Sequence, residues 1–154
     1  MSELKHILEA EGGLNQVAVE RAISEIRAGR PVVIKAGRSQ ILVVGVEALN
    51  DKLAEVLSGL ARRTARLLLP APRLRRLGLD RTKPGAIALP FLDLKRIAHL
   101  TLDVGARIDA PVAALGKLDL AALELARIAL ILPSVIVIPV AARAIEGEIG
   151  RAHV

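Results

Sequence analysis

The sequence predicts an α/β domain whose mixed β-sheet is buried between layers of covering helices. Three observations carry that expectation. Amphipathic helical stretches alternate with short runs rich in Val and Ile. Those runs are almost continuously apolar rather than alternating, as suits strands covered on both faces. The chain is 154 residues long and 53% hydrophobic, with one Phe and no Trp, Tyr or Cys, so aliphatic side chains must fill the core. That length fits one domain with a sizeable interior.

Val19, Ala22, Ile23 and Ile26 recur at helical spacing while Glu20, Arg21, Glu25 and Arg27 take the opposite face. Asn15 suits the N-cap, Gly29 the left-handed C-terminal residue, and Pro31 stops the helix from resuming. Pro31 to Ile34 and Ile41 to Val46 are the next two strands, joined by a turn at Ala36 to Ser39. Leu49, Leu53, Val56, Leu57 and Leu60 form a second helical stripe, with Asn50 and Asp51 at its start. A strand over Arg66 to Pro70 leads into a short helix, Ala71 to Leu79, closed by Gly78. Gly85 to Leu89 reads as a strand and Leu94 to Leu100 as a helix. Leu120, Leu123, Leu125, Ala126, Ile128, Ala129 and Leu132 make a heavily apolar helix that Pro133 ends, before a strand over Val135 to Val140.

Three of these stretches carry a family resemblance. The helix running through "IRAGRPVVI" into a strand resembles the opening of 3,4-dihydroxy-2-butanone 4-phosphate synthase, a riboflavin-pathway enzyme. LLPAPRLRRLGL is similar in length and ending to the family's L-T-P-E-R-A-D-R-L-G-L segment, and LARIALILPSVIVI to its L-A-R-L-A-G-L-x-P-A-x-V-I stretch. The resemblance implies the synthase fold over most of Val17 to Val140. It also implies where the chemistry would sit, and there this chain departs from the pattern. The family's first strand leads into a segment like D-D-E-D-R-E-N-E-G-D-L, whose carboxylates hold magnesium and perform acid–base chemistry on ribulose 5-phosphate. Here that place reads Lys35, Ala36, Gly37, Arg38, Ser39, Gln40, Ile41, Leu42. The family's G-H-T-E corresponds to Gly116, Lys117, Leu118 and Asp119, and the Glu of its C-E-I falls at or near Pro139. The T-G-I-S-A-A-D-R segment that helps hold the sugar phosphate has no counterpart, and Thr101 to Ala114 is shorter than the family pattern.

Catalytic, cofactor-binding and metal positions are therefore all expected to be absent. His99 and Asp103, four residues apart, share a helix face, but two ligands without a third are more simply a surface pair. Asp93, Asp103, Asp109 and Asp119 show no paired-carboxylate spacing, and Ser39 and Ser134 lack a nucleophile context. Gly37-Arg38-Ser39 reads as a hairpin turn, and Gly12-Gly13 is an isolated pair. Lys35 and Arg38 can meet an anion, though turn geometry accounts for them without one.

The pattern of a kept frame and lost site resembles the degenerate synthase-like domain at the N-terminus of some bacterial GTP cyclohydrolase II proteins. It implies a silent scaffold or dimerisation role, as a homodimer or beside a fused cyclohydrolase domain. Zinc would belong only to that missing domain, since this chain has no Cys. The alternative is an RNA- or nucleotide-binding module related to threonylcarbamoyl-adenylate synthases. Net charge +6 favours it. The lack of aromatics for base stacking and of a P-T-[DE]-T-like segment at Lys35 to Gln40 speaks against nucleic acid. Arg62, Arg63, Arg66, Arg73, Arg75, Arg76 and Arg81 are expected to form a solvated face.

Residues 1–14 carry scattered charges and no apolar signal core, and are expected to be a flexible segment before a domain spanning 15–147. Ile149 to Val154 reverse-translates to ATCGGAAGAGCACACGTC, a common sequencing adapter. Residues 148–154 are accordingly read as an adapter-derived tail, with the natural protein continuing past Gly147. The apolar run Ile128 to Val140 is broken by Pro133 and Pro139 and falls short of the ~20 residues of a membrane helix. A cytoplasmic location is expected.

Overall fold

The first helix among the described residues, α1 (Gln16–Arg27), buries Val19 and Ile26 and ends as its sequence dictates. Gly29 adopts φ +84°, and the Arg30 N–H closes back on the Glu25 carbonyl at 3.0 Å, the Schellman pattern that satisfies carbonyls left over at a helix end. The computed structural model describes residues 16–141. The expectations placed on 1–14, Asn15 and the tail lie outside that range.

After α1 come β1 (Val32–Ala36) and β2 (Ser39–Gly45), a hairpin in which Val32 faces Val43 and Ala36 faces Ser39. A 3-10 turn (Val46–Ala48) leads to α2 (Asp51–Ala61), where the Asn50 side chain accepts the Leu53 N–H at 2.8 Å as N-cap. Then follow β3 (Ala65–Leu69), α3 (Ala71–Arg76), β4 (Gly85–Leu89), α4 (Leu94–Leu102), α5 (Lys117–Ile128) and β5 (Val135–Pro139).

Among the described residues, five strands lie in the order β1-β2-β5-β3-β4. The α/β class with a sheet between helix layers is borne out. Every pairing is antiparallel, so strand direction differs from the mixed sheet expected. The reason is that continuous apolar runs report burial of both faces, which two helix layers impose whatever the strand direction. β5, the last of these strands in sequence, occupies the centre and connects the β1–β2 hairpin to the β3–β4 pair.

Alternation along the strands divides the interior in two. Leu42, Val44, Leu67, Leu69, Ile87, Ile136 and Ile138 face one layer, packing with Leu57 of α2, Leu74 of α3, and Ile97 and Leu100 of α4. Ile34, Ile41, Val43, Leu68, Val135 and Val137 face the other, packing with α1 and with Ala121, Ala122, Leu125 and Ala126 of α5. The small residues of α5 form its buried face, while Leu120 is 39% exposed. Helix α5 also stops at Ile128, short of the expected Leu132. Leu130 takes φ +59°, and the Ile131 N–H bonds the Ala126 carbonyl at 3.2 Å, a third Schellman-type ending after those at Gly29 and Gly78.

Gly85 opens β4 where the chain crosses closely. A Cβ there would stand 2.2 Å from Val112 Cγ1, because Ala113 pairs with Ala86 through two 2.9 Å backbone hydrogen bonds. The 106–113 segment thereby covers part of the β4 edge.

Candidate functional site

One end of the sheet gathers the positions where the resemblance would place chemistry. The β1–β2 turn lies there, with Lys35 opposite Gln40 and Gly37 at φ +60°. The Val140 N–H reaches the Gln40 carbonyl, which brings the end of β5 alongside. The start of β3 follows, with Arg66 opposite Val137. Since Leu67 and Leu69 face the α2–α4 layer, strand alternation turns Arg66 to the other side, toward the start of α5.

There it meets Asp119. Arg66 Nη1 donates to Oδ2 at 2.9 Å and Nη2 to Oδ1 at 2.6 Å, a two-pronged pair across 53 residues. Asp119 Oδ2 also accepts the Gly116 N–H at 3.0 Å, which places the carboxylate in the first turn of α5, where the helix dipole favours negative charge. The Asp119 side chain is only 7% exposed and that of Arg66 28%. Both carboxylate oxygens are thus engaged, and the pair braces the sheet against the helix. Charge pattern alone places Arg66 on a solvated face and leaves Asp119 without a paired carboxylate. A charged residue opening an otherwise buried strand was the one signal available.

The donor set around this end does not fit magnesium, which takes hard oxygen ligands in near-octahedral array. The turn presents Lys35 and Arg38, and Asp119 is closed by a guanidinium. Among the described residues, no three His, Asp or Glu side chains converge as a metal site. His99 Nδ1 and Asp103 Oδ2 are 2.9 Å apart on the exposed side of α4. Ser39 is exposed at the start of β2; Ser134 is buried, and its carbonyl accepts the Val46 N–H.

Four of the arginines expected on a solvated face, Arg62, Arg63, Arg75 and Arg76, are exposed, and most of the seven also hold partners within the chain. Arg73 donates to the carbonyls of Leu100, His99 and Asp103, closing the C-terminal end of α4. Arg75 holds the Arg81 carbonyl, and Arg81 those of Lys83 and Pro84. The Arg63 guanidinium lies 5.0 Å from the centre of the Phe91 ring, the chain's one aromatic, which is 67% exposed. Side-chain-to-carbonyl pairing of this kind leaves no trace in charge pattern.

Among the described residues, no helix is long and apolar enough to cross a membrane. No protein-family model matches the chain, and no curated protein matches it. Solved structures do. The two-domain 3,4-dihydroxy-2-butanone 4-phosphate synthase RibBX of A. baumannii aligns with TM-score 0.65 and 16% identity over 88% of this chain. That alignment spans 54% of RibBX, about half its length. The Candida albicans synthase aligns with TM-score 0.64 and 14% identity, covering 88% of this chain and 89% of its own. A cation-free form of a 3,4-dihydroxy-2-butanone 4-phosphate synthase gives TM-score 0.61 and 13% identity, covering 79% and 74%. The helix-covered antiparallel sheet of this chain is therefore the fold seen in 3,4-dihydroxy-2-butanone 4-phosphate synthase structures.

Proposed function

We propose that this chain is a catalytically silent synthase-like domain. It serves as a scaffold or dimerisation module in a riboflavin-biosynthesis protein of the GTP cyclohydrolase II type. The observation that carries the reading is the Arg66–Asp119 pair at the start of α5, beside a β1–β2 turn bearing Lys35 and Arg38. Acid–base chemistry needs a carboxylate free to exchange a proton, and magnesium needs several oxygen donors. Two cations in the turn repel such an ion, and Asp119 is already committed to Arg66.

On this reading the domain spans 15–147, residues 148–154 are an adapter-derived tail, and the chain holds neither magnesium nor zinc. A partner, either a second copy or a fused cyclohydrolase domain, supplies the activity. Ribulose 5-phosphate incubated with magnesium and the purified chain should disappear no faster than in the protein-free control. Turnover at a rate near that of RibBX assayed alongside would overturn catalytic silence. Sequencing the gene beyond the Gly147 codon tests the fusion separately. A following domain with a Cys-containing zinc motif supports it, and a stop or an unrelated domain removes it.

A further inference from the structure

Positive charge is concentrated at the opposite end of the sheet. The last turn of α3, its connection to β4 and the loop lying on it gather Arg75, Arg76, Arg81, Lys83 and Arg107 against two carboxylates, Asp80 and Asp109. Five cations and two anions leave an excess of three there, where the whole chain carries net +6. Backbone contacts bring these residues together. The Ile108 N–H bonds the Leu77 carbonyl at 3.0 Å and lays Arg107 over Gly78, where a Cβ would sit 2.8 Å from Arg107 Nη1.

Two of the five guanidinium and ammonium groups are held in place. Arg75 Nη1 holds the Arg81 carbonyl at 2.9 Å, and Arg81 holds those of Lys83 at 3.3 Å and Pro84 at 3.2 Å. A carbonyl fixes a guanidinium without neutralising it. Among the described residues, the ion pairs involve none of these five cations, and nearby Asp109 is taken by Arg96 at 3.0 Å. Arg75, Arg76, Lys83 and Arg107 are exposed. The result is a cationic surface anchored at Arg75 and Arg81, with little internal counter-charge.

We infer that this surface docks a carboxylate-rich segment of a protein partner. Positioned guanidiniums suit two-pronged pairing with carboxylates. Single-stranded nucleic acid fits less well, because the connection contains no aromatic side chain for bases to stack on. The inference does not depend on whether the synthase chemistry is lost.

The test is fluorescence anisotropy of the full chain with a labelled glutamate-rich peptide and, separately, an RNA duplex of matched charge. The peptide should bind saturably and weaken as salt rises. Arg76→Glu with Arg107→Glu, two side chains with no hydrogen-bond partner among the described residues, should weaken it about tenfold or more. Lys52→Glu with Lys95→Glu makes the same change in net charge elsewhere and should alter binding less than about threefold. Thermal melts confirm that both variants fold. Equal loss in the two pairs, absence of saturable peptide binding, or tighter binding of the duplex would each overturn the inference.

Discussion

Among the described residues four helix ends close on a left-handed residue: two place glycine there, α2 uses Arg62 at φ +46°, and α5 uses a leucine. Gly29 and Gly78 have φ +84° and +101°, whereas Leu130 is held at +59°. An L-residue in this region costs about 1–2 kcal/mol, from Cβ crowding against the carbonyl. Leu130→Gly removes that cost. It also loosens the unfolded chain, which works against stability by about 0.5–1 kcal/mol. Leu130 is 87% exposed, so the buried remainder of a side chain worth about 1.5–3 kcal/mol when fully buried amounts to roughly 0.3 kcal/mol. The balance is a gain of about 0.5 kcal/mol, or roughly 1–2 °C in Tm for a domain of this size. Leu130→Ala separates the contributions, since alanine loses the same packing and keeps the left-handed cost. Urea unfolding of the three proteins should rank glycine above alanine by roughly 0.5–1 kcal/mol. In an ordinary helical residue the order reverses by a similar amount. An alanine variant more stable than the glycine variant would refute a left-handed Leu130, and with it the Schellman ending of α5.

Two further substitutions probe how the layers are held. Arg66→Ala strands the Asp119 carboxylate with one backbone donor and should cost about 2–4 kcal/mol. Combining it with Asp119→Ala should cost less than the sum by about 1–3 kcal/mol in urea melts, and simple additivity would show that the pair is not formed. Gly85→Ala should destabilise by about 1–3 kcal/mol, since its Cβ would meet Val112 Cγ1 at 2.2 Å. Adding Val112→Ala should recover at least part of that loss, and no recovery would place the 106–113 crossing elsewhere.

The elements themselves were legible in the chain. Val19 and Ile26 at helical spacing, Gly29 before Pro31, Asn50 ahead of Leu53, and Pro133 before a Val/Ile run are local signals, and local geometry answered to each. The resemblance read from "IRAGRPVVI", "RLRRLGL" and "LARIALILP" pointed to the fold that the synthase structures share. Where α5 ends was misread, because nothing in Ile128 to Leu132 marks a leucine that turns left-handed.

Tertiary structure alone decided the rest. Apolar runs record that a strand is buried but not which neighbour it takes, so the insertion of β5 between β2 and β3, and the antiparallel sense of every pairing, could not be read from pattern. The partnership of Arg66 with Asp119 and the grip of Arg73 on three carbonyls are likewise long-range. Periodicity is fixed by the helix and strand repeat within a few residues. A partner 53 residues away is chosen only when the sheet closes around its last strand.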